Sequence, residues 1–363
     1  MHHLRNMAKL FLITGIILSV IMCSFITFAD SADRLFDHKN FTYDGHIFFN
    51  ATNSAAQGER YLLNQQLSNI KLGSEWLLTD WNKVNALLIY NTVPTPIAPS
   101  LYFEQLYDTF DLYPSQLFFE TGKKWLTFGR YRNDLIYKPL TKALGQTNEV
   151  TTVLSYDDYA YANVSLFEPY SRIKSSSSPL YYNVNIGVHD AHFDVGGSYL
   201  RSFAETQLSQ YNKGFGGFLS QRIRSDVPGF SGYVNLQNNT WSTYLTYVMA
   251  LRPFDQGELS YNNKGAQPKA FSVQSANDLK IKNIPFKMIG FYDYSFQALA
   301  LRLPKKRVGV GFSVIPYHFL SVQFQYFKDY GYPDKATASG LNRLVIGNSV
   351  KVNNFALQAI IHF

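Results

Sequence analysis

The chain has 363 residues, of which 46% are hydrophobic and 16% aromatic, and its formal net charge is +7. If the first 29 residues are removed, the loss of Arg5 and Lys9 leaves 31 basic residues against 26 acids, and no basic stripe remains that would predict nucleic-acid binding. The single cysteine, Cys23, lies in that same stretch, which excludes a cysteine-based metal or redox site from the rest of the chain.

The N-terminus predicts a cleavable signal peptide over residues 1–29. Arg5 and Lys9 precede a long uncharged run, and polar residues follow this run directly. An uncleaved membrane anchor is the alternative, because the run is long enough to span, although no basic stop-transfer cluster follows it. We expect a short periplasmic segment, residues 30–43, and then one folded domain, residues 44–363. Such a segment is too short to form a plug domain.

Apolar side chains alternate with polar or small ones along the rest of the chain, which predicts β-strands. The polar faces carry Asn, Gln, Ser and Gly, which suits a wet interior better than a solvated sheet exterior. We therefore predict an all-β, antiparallel, up-and-down transmembrane barrel of about 16 strands (14–18), embedded in lipid of the bacterial outer membrane and inserted by the barrel-assembly machinery. The predicted strands are 44–52, 66–79, 81–92, 100–112, 115–126, 147–155, 158–168, 180–190, 191–203, 229–237, 240–252, 269–280, 284–297, 306–316, 319–331 and 352–363, and 214–223 is an additional candidate.

The alternation also assigns faces. The residues predicted to contact lipid include Val184, Val310, Val322 and Leu357. The residues predicted to face the lumen are Lys71, Glu75, Asn183, Asn185, Arg307, Gln323 and Gln325.

The last strand, "FALQAIIHF", places Leu357, Ile361 and Phe363 on one apolar face. This stretch alone would suit a buried strand of a soluble sandwich or a barrel strand facing lipid. Combined with the N-terminal signal, it predicts the strand that closes the barrel against the first one. We expect Leu357, Ile361 and Phe363 to form its assembly signal.

A long loop, "RYRNDLIYKPLTKALGQTNE", follows the predicted strand 115–126. It is too long for a tight turn and carries Arg130, Arg132, Lys138 and Lys142 against two acids. If the loop folds into the lumen, these four side chains would line the narrowest point and select anions. The alternative is an ordinary solvated surface loop.

Enzymatic chemistry is not indicated, because no histidine stands in a motif tied to activation of a nucleophile. The one candidate metal-binding cluster is "HDAH", residues 189–192, which has two imidazoles and a carboxylate that could bind a metal ion. It separates two predicted strands, however, and Asp is common in tight turns, so we predict a turn there. No catalytic, metal or cofactor residues are assigned.

The segment "FETGKKWLTFGRYRNDLIYKPLTKALGQTNE" resembles the strand and loop of the LbtU-like siderophore porins. Matching positions are Gly122, Lys123, Phe128, Gly129, Pro139, Leu140, Thr141, Leu144, Gly145 and Thr147. The match in motif covers about thirty residues. The chain departs from the family in lacking its longer N-terminal extension and in carrying Lys138 and Lys142 where acidic or neutral residues are usual. The resemblance implies a channel that takes up ferric siderophores.

Together these features predict a passive outer-membrane channel without a plug for an anionic solute, and the resemblance implies that this solute is a ferric siderophore. A general porin with weak anion preference is the first alternative. A barrel hydrolase or a structural barrel is the second.

Overall fold

A computed structural model describes residues 41–56, 62–93, 100–113, 116–168, 181–206, 226–281, 284–340 and 343–363. The predicted signal peptide, most of the segment 30–43 and the additional strand candidate 214–223 lie outside the described residues.

Sixteen strands form one closed barrel in which every strand pairs antiparallel with its neighbours, and the last strand pairs with the first. The barrel strands are β1 (Phe41–Ala56), β2 (Leu62–Thr79), β3 (Asn82–Asn91), β4 (Leu101–Tyr113), β5 (Leu117–Trp125), β6 (Asn148–Asp157), β7 (Ala160–Phe167), β8 (Tyr181–His189), β9 (Phe193–Leu200), β10 (Gly229–Gln237), β11 (Trp241–Ala250), β14 (Lys269–Ile281), β15 (Ile284–Phe296), β16 (Lys306–Tyr317), β17 (Leu320–Tyr330) and β20 (Lys351–His362). Each lies on one of the sixteen predicted segments, which confirms the predicted fold class.

Four short strands lie in the loops that join β11 to β14 and β17 to β20, and they are β12 (Ser260–Tyr261), β13 (Lys264–Gly265), β18 (Thr337–Gly340) and β19 (Arg343–Ile346). They form a second sheet in the order β13-β12-β18-β19. The helical elements in the described residues are α1 (Leu140–Gly145) and a 3₁₀ turn, Phe203–Glu205. Within the described part of the chain, no helix has the length and apolar character needed to cross a membrane.

The barrel is inside out relative to a soluble protein. Along β7, exposed and buried residues alternate, and the exposed ones include Val164 and Leu166, whereas Asn163 and Ser165 are buried. An apolar outer face and a polar inner face are what a barrel in lipid requires, because the outer surface meets hydrocarbon and the inner one meets water or polar side chains.

The closing seam between β1 and β20 follows the same rule. Ile47 pairs with Ile361 and packs outside the barrel with Leu320. Gly45 and Phe363 exchange both backbone hydrogen bonds, at 2.8 and 3.0 Å. Because β1 and β20 satisfy each other's backbone groups, this seam leaves no open edge of the barrel.

The two ends of the barrel differ in their connections. Tight turns join β2 to β3, β6 to β7, β8 to β9, β10 to β11 and β16 to β17 at the end that we call the short-turn end. The connections at the opposite, long-loop end include residues 126–147, 251–268 and 331–350. The first of these, the lumen loop, does not stay at the rim.

Candidate functional site: the lumen loop and the facing wall

The lumen loop, residues 126–147, leaves β5 and returns to β6 with its base closed by a hydrogen bond from Leu126 N to Thr147 O (2.9 Å). Between these points it lies against inner-face side chains of distant strands, so it crosses the inside of the barrel. Three backbone N–H groups donate to that wall, namely Gly129 to Ser198 Oγ (2.9 Å), Tyr137 to Gln325 Oε1 (3.1 Å) and Thr141 to Ser272 Oγ (3.2 Å).

Local sequence explains the path of the loop. Gly129 has a φ of +82°, and a Cβ there would lie 2.5 Å from Ser231 Oγ, so this position needs glycine. Pro139 then precedes α1, where a fixed φ suits the start of a helix. The Asp293 carboxylate of β15 accepts a hydrogen bond from Leu140 N, one of the N–H groups without an intrahelical partner.

Apolar contacts anchor the middle of the loop. Leu135 is buried with Ile289, Phe291 and Phe327 of the inner wall. The Tyr137 ring meets the Phe327 ring nearly edge to face, with centroids 4.8 Å apart. Burying these side chains against the wall holds the loop inside the barrel without using its charges.

The charge of Arg130 is compensated. Its Nη1 lies 3.0 Å from Oδ2 of Asp194, whose side chain is 5% exposed, and its guanidinium stacks over the Tyr161 ring at 4.2 Å. Asp194 also accepts hydrogen bonds from the Tyr161 hydroxyl (2.9 Å) and Asn235 Nδ2 (3.1 Å). Arg130 therefore binds the loop to the wall and adds little net field to the passage.

Arg132 has a different environment. Its Nη1 donates to Gln237 Oε1 (2.7 Å), and its guanidinium lies 5.8 Å above the Tyr244 ring. Both partners are neutral and the side chain is exposed, so its charge is available to solutes inside the barrel.

Lys138, Lys142 and Lys71 form a basic cluster, with Glu104 as the acid close enough to act on both loop lysines. Lys138 donates to Gln146 Oε1 (3.2 Å) and lies 5.9 Å from the Trp125 ring centre. Burial lowers the pKa of Lys142 to about 8, and repulsion from Lys138 and Lys71 adds to this shift.

The predicted constriction residues thus fall into separate groups. Arg130 is paired with the β9 wall, Arg132 lies beside β10 and β11, and Lys138 and Lys142 gather with Lys71 of β2. Sequence reasoning missed the acids that decide this, Asp194 and Glu104. Alternation does place Asp194 on the inner face of β9, but its partner across the fold is not readable from the local pattern.

The structure places the predicted lumen-facing residues on the inner face. Asn183 and Asn185 are buried there, and Gln323 shares its strand face with Gln325. The charged members have partners: Lys71 lies 5.2 Å from the Phe48 ring centre, Glu75 pairs with Lys83 (2.9 Å), and Arg307 holds Asp329 through two hydrogen bonds (2.7 and 3.0 Å).

The "HDAH" segment forms the turn between β8 and β9. Asp190 Oδ1 accepts hydrogen bonds from the backbone N–H groups of His192 (2.6 Å) and Phe193 (2.9 Å). This is the aspartate turn predicted for the segment. In the part of the chain that the structure describes, no group of three or more His, Cys, Asp or Glu side chains is arranged to hold a metal ion.

No protein-family model matches the chain. Among curated proteins it is similar to UPF0422 proteins of Legionella pneumophila (26% identity over 280 residues; 69% of this chain and 51% of the relative) and Coxiella burnetii (25% over 235 residues; 61% and 49%). The chain spans about half the length of the curated relatives it matches.

Among solved structures it is similar to outer-membrane barrels. These include OprB of Pseudomonas putida (TM-score 0.59, 8% identity, covering 93% of this chain and 97% of that one) and the anion-selective porin from Comamonas acidovorans (0.58, 8%, 89% and 99%). OmpT, an outer membrane protein of Vibrio cholerae, is a third (0.55, 13%, 90% and 99%). The shared property is the porin fold. With its apolar outer face, this protein is an outer-membrane β-barrel.

Proposed function

We propose that the protein is a passive, porin-like channel that favours anionic solutes. The observation that carries the proposal is the basic cluster that Lys138 and Lys142 of the lumen loop form with Lys71 of β2 inside the barrel. Among the described acids, Glu104 acts on both loop lysines, and the three lysines outnumber it, so the local balance is positive.

A positive cluster in a narrow passage acts more strongly than the same charges at a surface. The barrel wall and surrounding lipid have a low dielectric constant, which focuses the field into the water that remains. A unit charge about 5 Å away contributes about 0.8 kcal/mol in bulk water and more when partly dehydrated. Such attraction draws anions in, and its modest size lets them leave again, as conduction requires.

For the natural cargo we propose an anionic metal chelate of the ferric-siderophore type. The support is the resemblance of the loop segment to siderophore porins together with the basic cluster that the segment carries. A general porin with weak anion preference is the alternative, and it shares the same lysines. We propose no enzymatic activity.

The direct test is ion selectivity in planar bilayers. The variant K138Q/K142Q removes two charges from the lumen loop, and we expect its reversal potential in a salt gradient to move toward cation preference. The matched control is K264Q/K335Q, which removes two exposed lysines outside the lumen loop. Lys264 belongs to the short strand β13, and Lys335 lies in the long loop 331–350. Equal reversal potentials in both variants and the parent protein would contradict the proposal.

The cargo needs a separate measurement. Uptake of a ferric siderophore by a deletion strain should be restored by the parent gene and slowed by K138Q/K142Q. Normal conductance and selectivity without any restoration of uptake would favour the general porin.

A further inference from the structure

Two histidines face each other across the closing seam of the barrel. His46 of β1 and His362 of β20 are directly paired. Their neighbours Gly45 and Phe363 exchange both backbone hydrogen bonds, so the histidine pair is the non-hydrogen-bonded kind, in which opposite side chains come closest. The two Nδ1 atoms lie 3.0 Å apart, and the rings are nearly perpendicular, at 86°.

The outer nitrogen of each ring is held by an oxygen. His46 Nε2 lies 3.0 Å from Asp44 Oδ2, and because a carboxylate only accepts, Nε2 carries the proton and Nδ1 presents a lone pair. His362 Nε2 lies 2.9 Å from Ser321 Oγ, and this hydroxyl can donate or accept. His362 Nδ1 can therefore carry a proton and donate it to His46 Nδ1 in a hydrogen bond. In its other tautomer, His362 Nδ1 presents a second lone pair beside that of His46 Nδ1.

We propose that His46 and His362 bind a divalent transition-metal ion of the nickel and copper class through their Nδ1 atoms. Asp44 and Ser321 orient the rings, as carboxylates and hydroxyls do behind the histidines of metal sites. When the ion binds, neutral His362 changes tautomer: its Nδ1 proton leaves to solvent, its Nε2 takes up a proton from solvent, and the Nε2–H then donates a hydrogen bond to the Ser321 hydroxyl.

The distance between the nitrogens favours this class of ion. With metal–nitrogen bonds of roughly 2.0–2.1 Å, a 3.0 Å separation corresponds to an angle of about 94° at the metal. That angle suits adjacent positions of a square-planar or octahedral ion, the geometries of Cu²⁺ and Ni²⁺, better than the tetrahedral geometry of Zn²⁺. The His46 side chain is 31% exposed toward the lumen, so water can fill the remaining positions.

The charged groups around the histidine pair have opposite effects on cation binding. Asp44 adds a carboxylate next to His46 and favours a cation. Lys71 of β2 is the cross-strand partner of His46, and its positive charge disfavours a bound cation. The Lys71 ammonium itself lies over the Phe48 ring. With only two protein ligands, we expect modest affinity, and the ion would link the first and last strands of the barrel.

The experiment is calorimetric titration of the purified full-length barrel in detergent with Ni²⁺. We expect H362Q to bind the ion at this site about tenfold more weakly or worse. The matched control is H318Q, because His318 is an exposed histidine in the turn at the same end of the barrel, packed against Phe319. All other histidines remain in each variant, so the difference in Ni²⁺ affinity between H362Q and H318Q measures binding at the closing seam.

A second variant, D44N, keeps both ligands and removes only the carboxylate behind His46. Loss of such a partner typically weakens metal binding 10–100-fold, and Asp44 is exposed, so D44N should still fold. It therefore answers the question even if H362Q fails to assemble.

Thermal unfolding provides a readout at the seam itself. Because an ion that binds only the closed barrel stabilises it, Ni²⁺ should raise the midpoint by a few degrees, whereas Mg²⁺, which prefers oxygen ligands, should not. The rise should disappear in H362Q and persist in H318Q. Parent-like Ni²⁺ affinity and thermal shift in H362Q, or in D44N if H362Q does not assemble, would overturn the proposal.

Discussion

Replacement of Asp194 by Asn should release the first part of the lumen loop from the wall. Asp194 Oδ2 accepts from Arg130 Nη1 (3.0 Å) and Asn235 Nδ2 (3.1 Å), and Oδ1 accepts from the Tyr161 hydroxyl (2.9 Å). An Asn side chain can replace only one of these oxygens, so at least one donor would face an NH₂ group. Arg130 would also lose its counter-charge.

The size of the effect follows from burial. Breaking a fully buried ion pair costs about 3–5 kcal/mol, but Arg130 is 33% exposed and its charge can partly rehydrate. A hydrogen bond to a charged group contributes about 1.5–3 kcal/mol, so we expect about 2–3 kcal/mol of lost loop anchoring. The contacts of Leu135 and the hydrogen bond from Tyr137 N would still hold the later part of the loop.

Single-channel recording in planar bilayers is the assay. We expect D194N to show greater conductance and more open-channel noise, because residues near 130 no longer stay at the wall. The matched control is D134N, which breaks the more exposed pair of the same loop with Lys287 (3.1 Å) and should have a smaller effect. Identical traces for D194N and the parent would refute the anchoring role of the pair.

Three further predictions concern pH, lipid and assembly. Anion preference should decline as pH rises through about 8, because the pKa of Lys142 is lowered to that value and the lysine is charged only below it; reversal potentials at pH 6 and pH 9 check this, and equal values would contradict it. V164K should lower the free energy of unfolding in lipid by about 2–4 kcal/mol, since Val164 is an exposed outer residue near the middle of β7. Q323K should avoid that penalty, because Gln323 is a partly buried residue of the inner face; equal losses would contradict this assignment of the faces. F363A should slow assembly, measured by heat-modifiable gel mobility, because the ring packs beside Ile361 on the outer seam; unchanged mobility would exclude Phe363 from the assembly signal.

Alternation in the sequence was sufficient to locate all sixteen barrel strands. Each strand faces hydrocarbon on one side and polar surroundings on the other, so its period-2 pattern is present in the local sequence. The predicted segments 100–112 and 147–155, for example, form β4 and β6. The "HDAH" turn was readable for the same reason, because Asp190 bonds to backbone groups only two and three residues away.

Which charges in the lumen act together was decided only by the tertiary structure. Arg130 and Lys138 lie in one loop and look equivalent in the sequence, yet Arg130 meets Asp194, and Lys138 joins Lys142 and Lys71. Likewise His46 and His362, 316 residues apart, become neighbours only because the barrel closes. Partners of this kind depend on strand register and on where the loop crosses the lumen. Long-range packing sets both, and no local pattern records them.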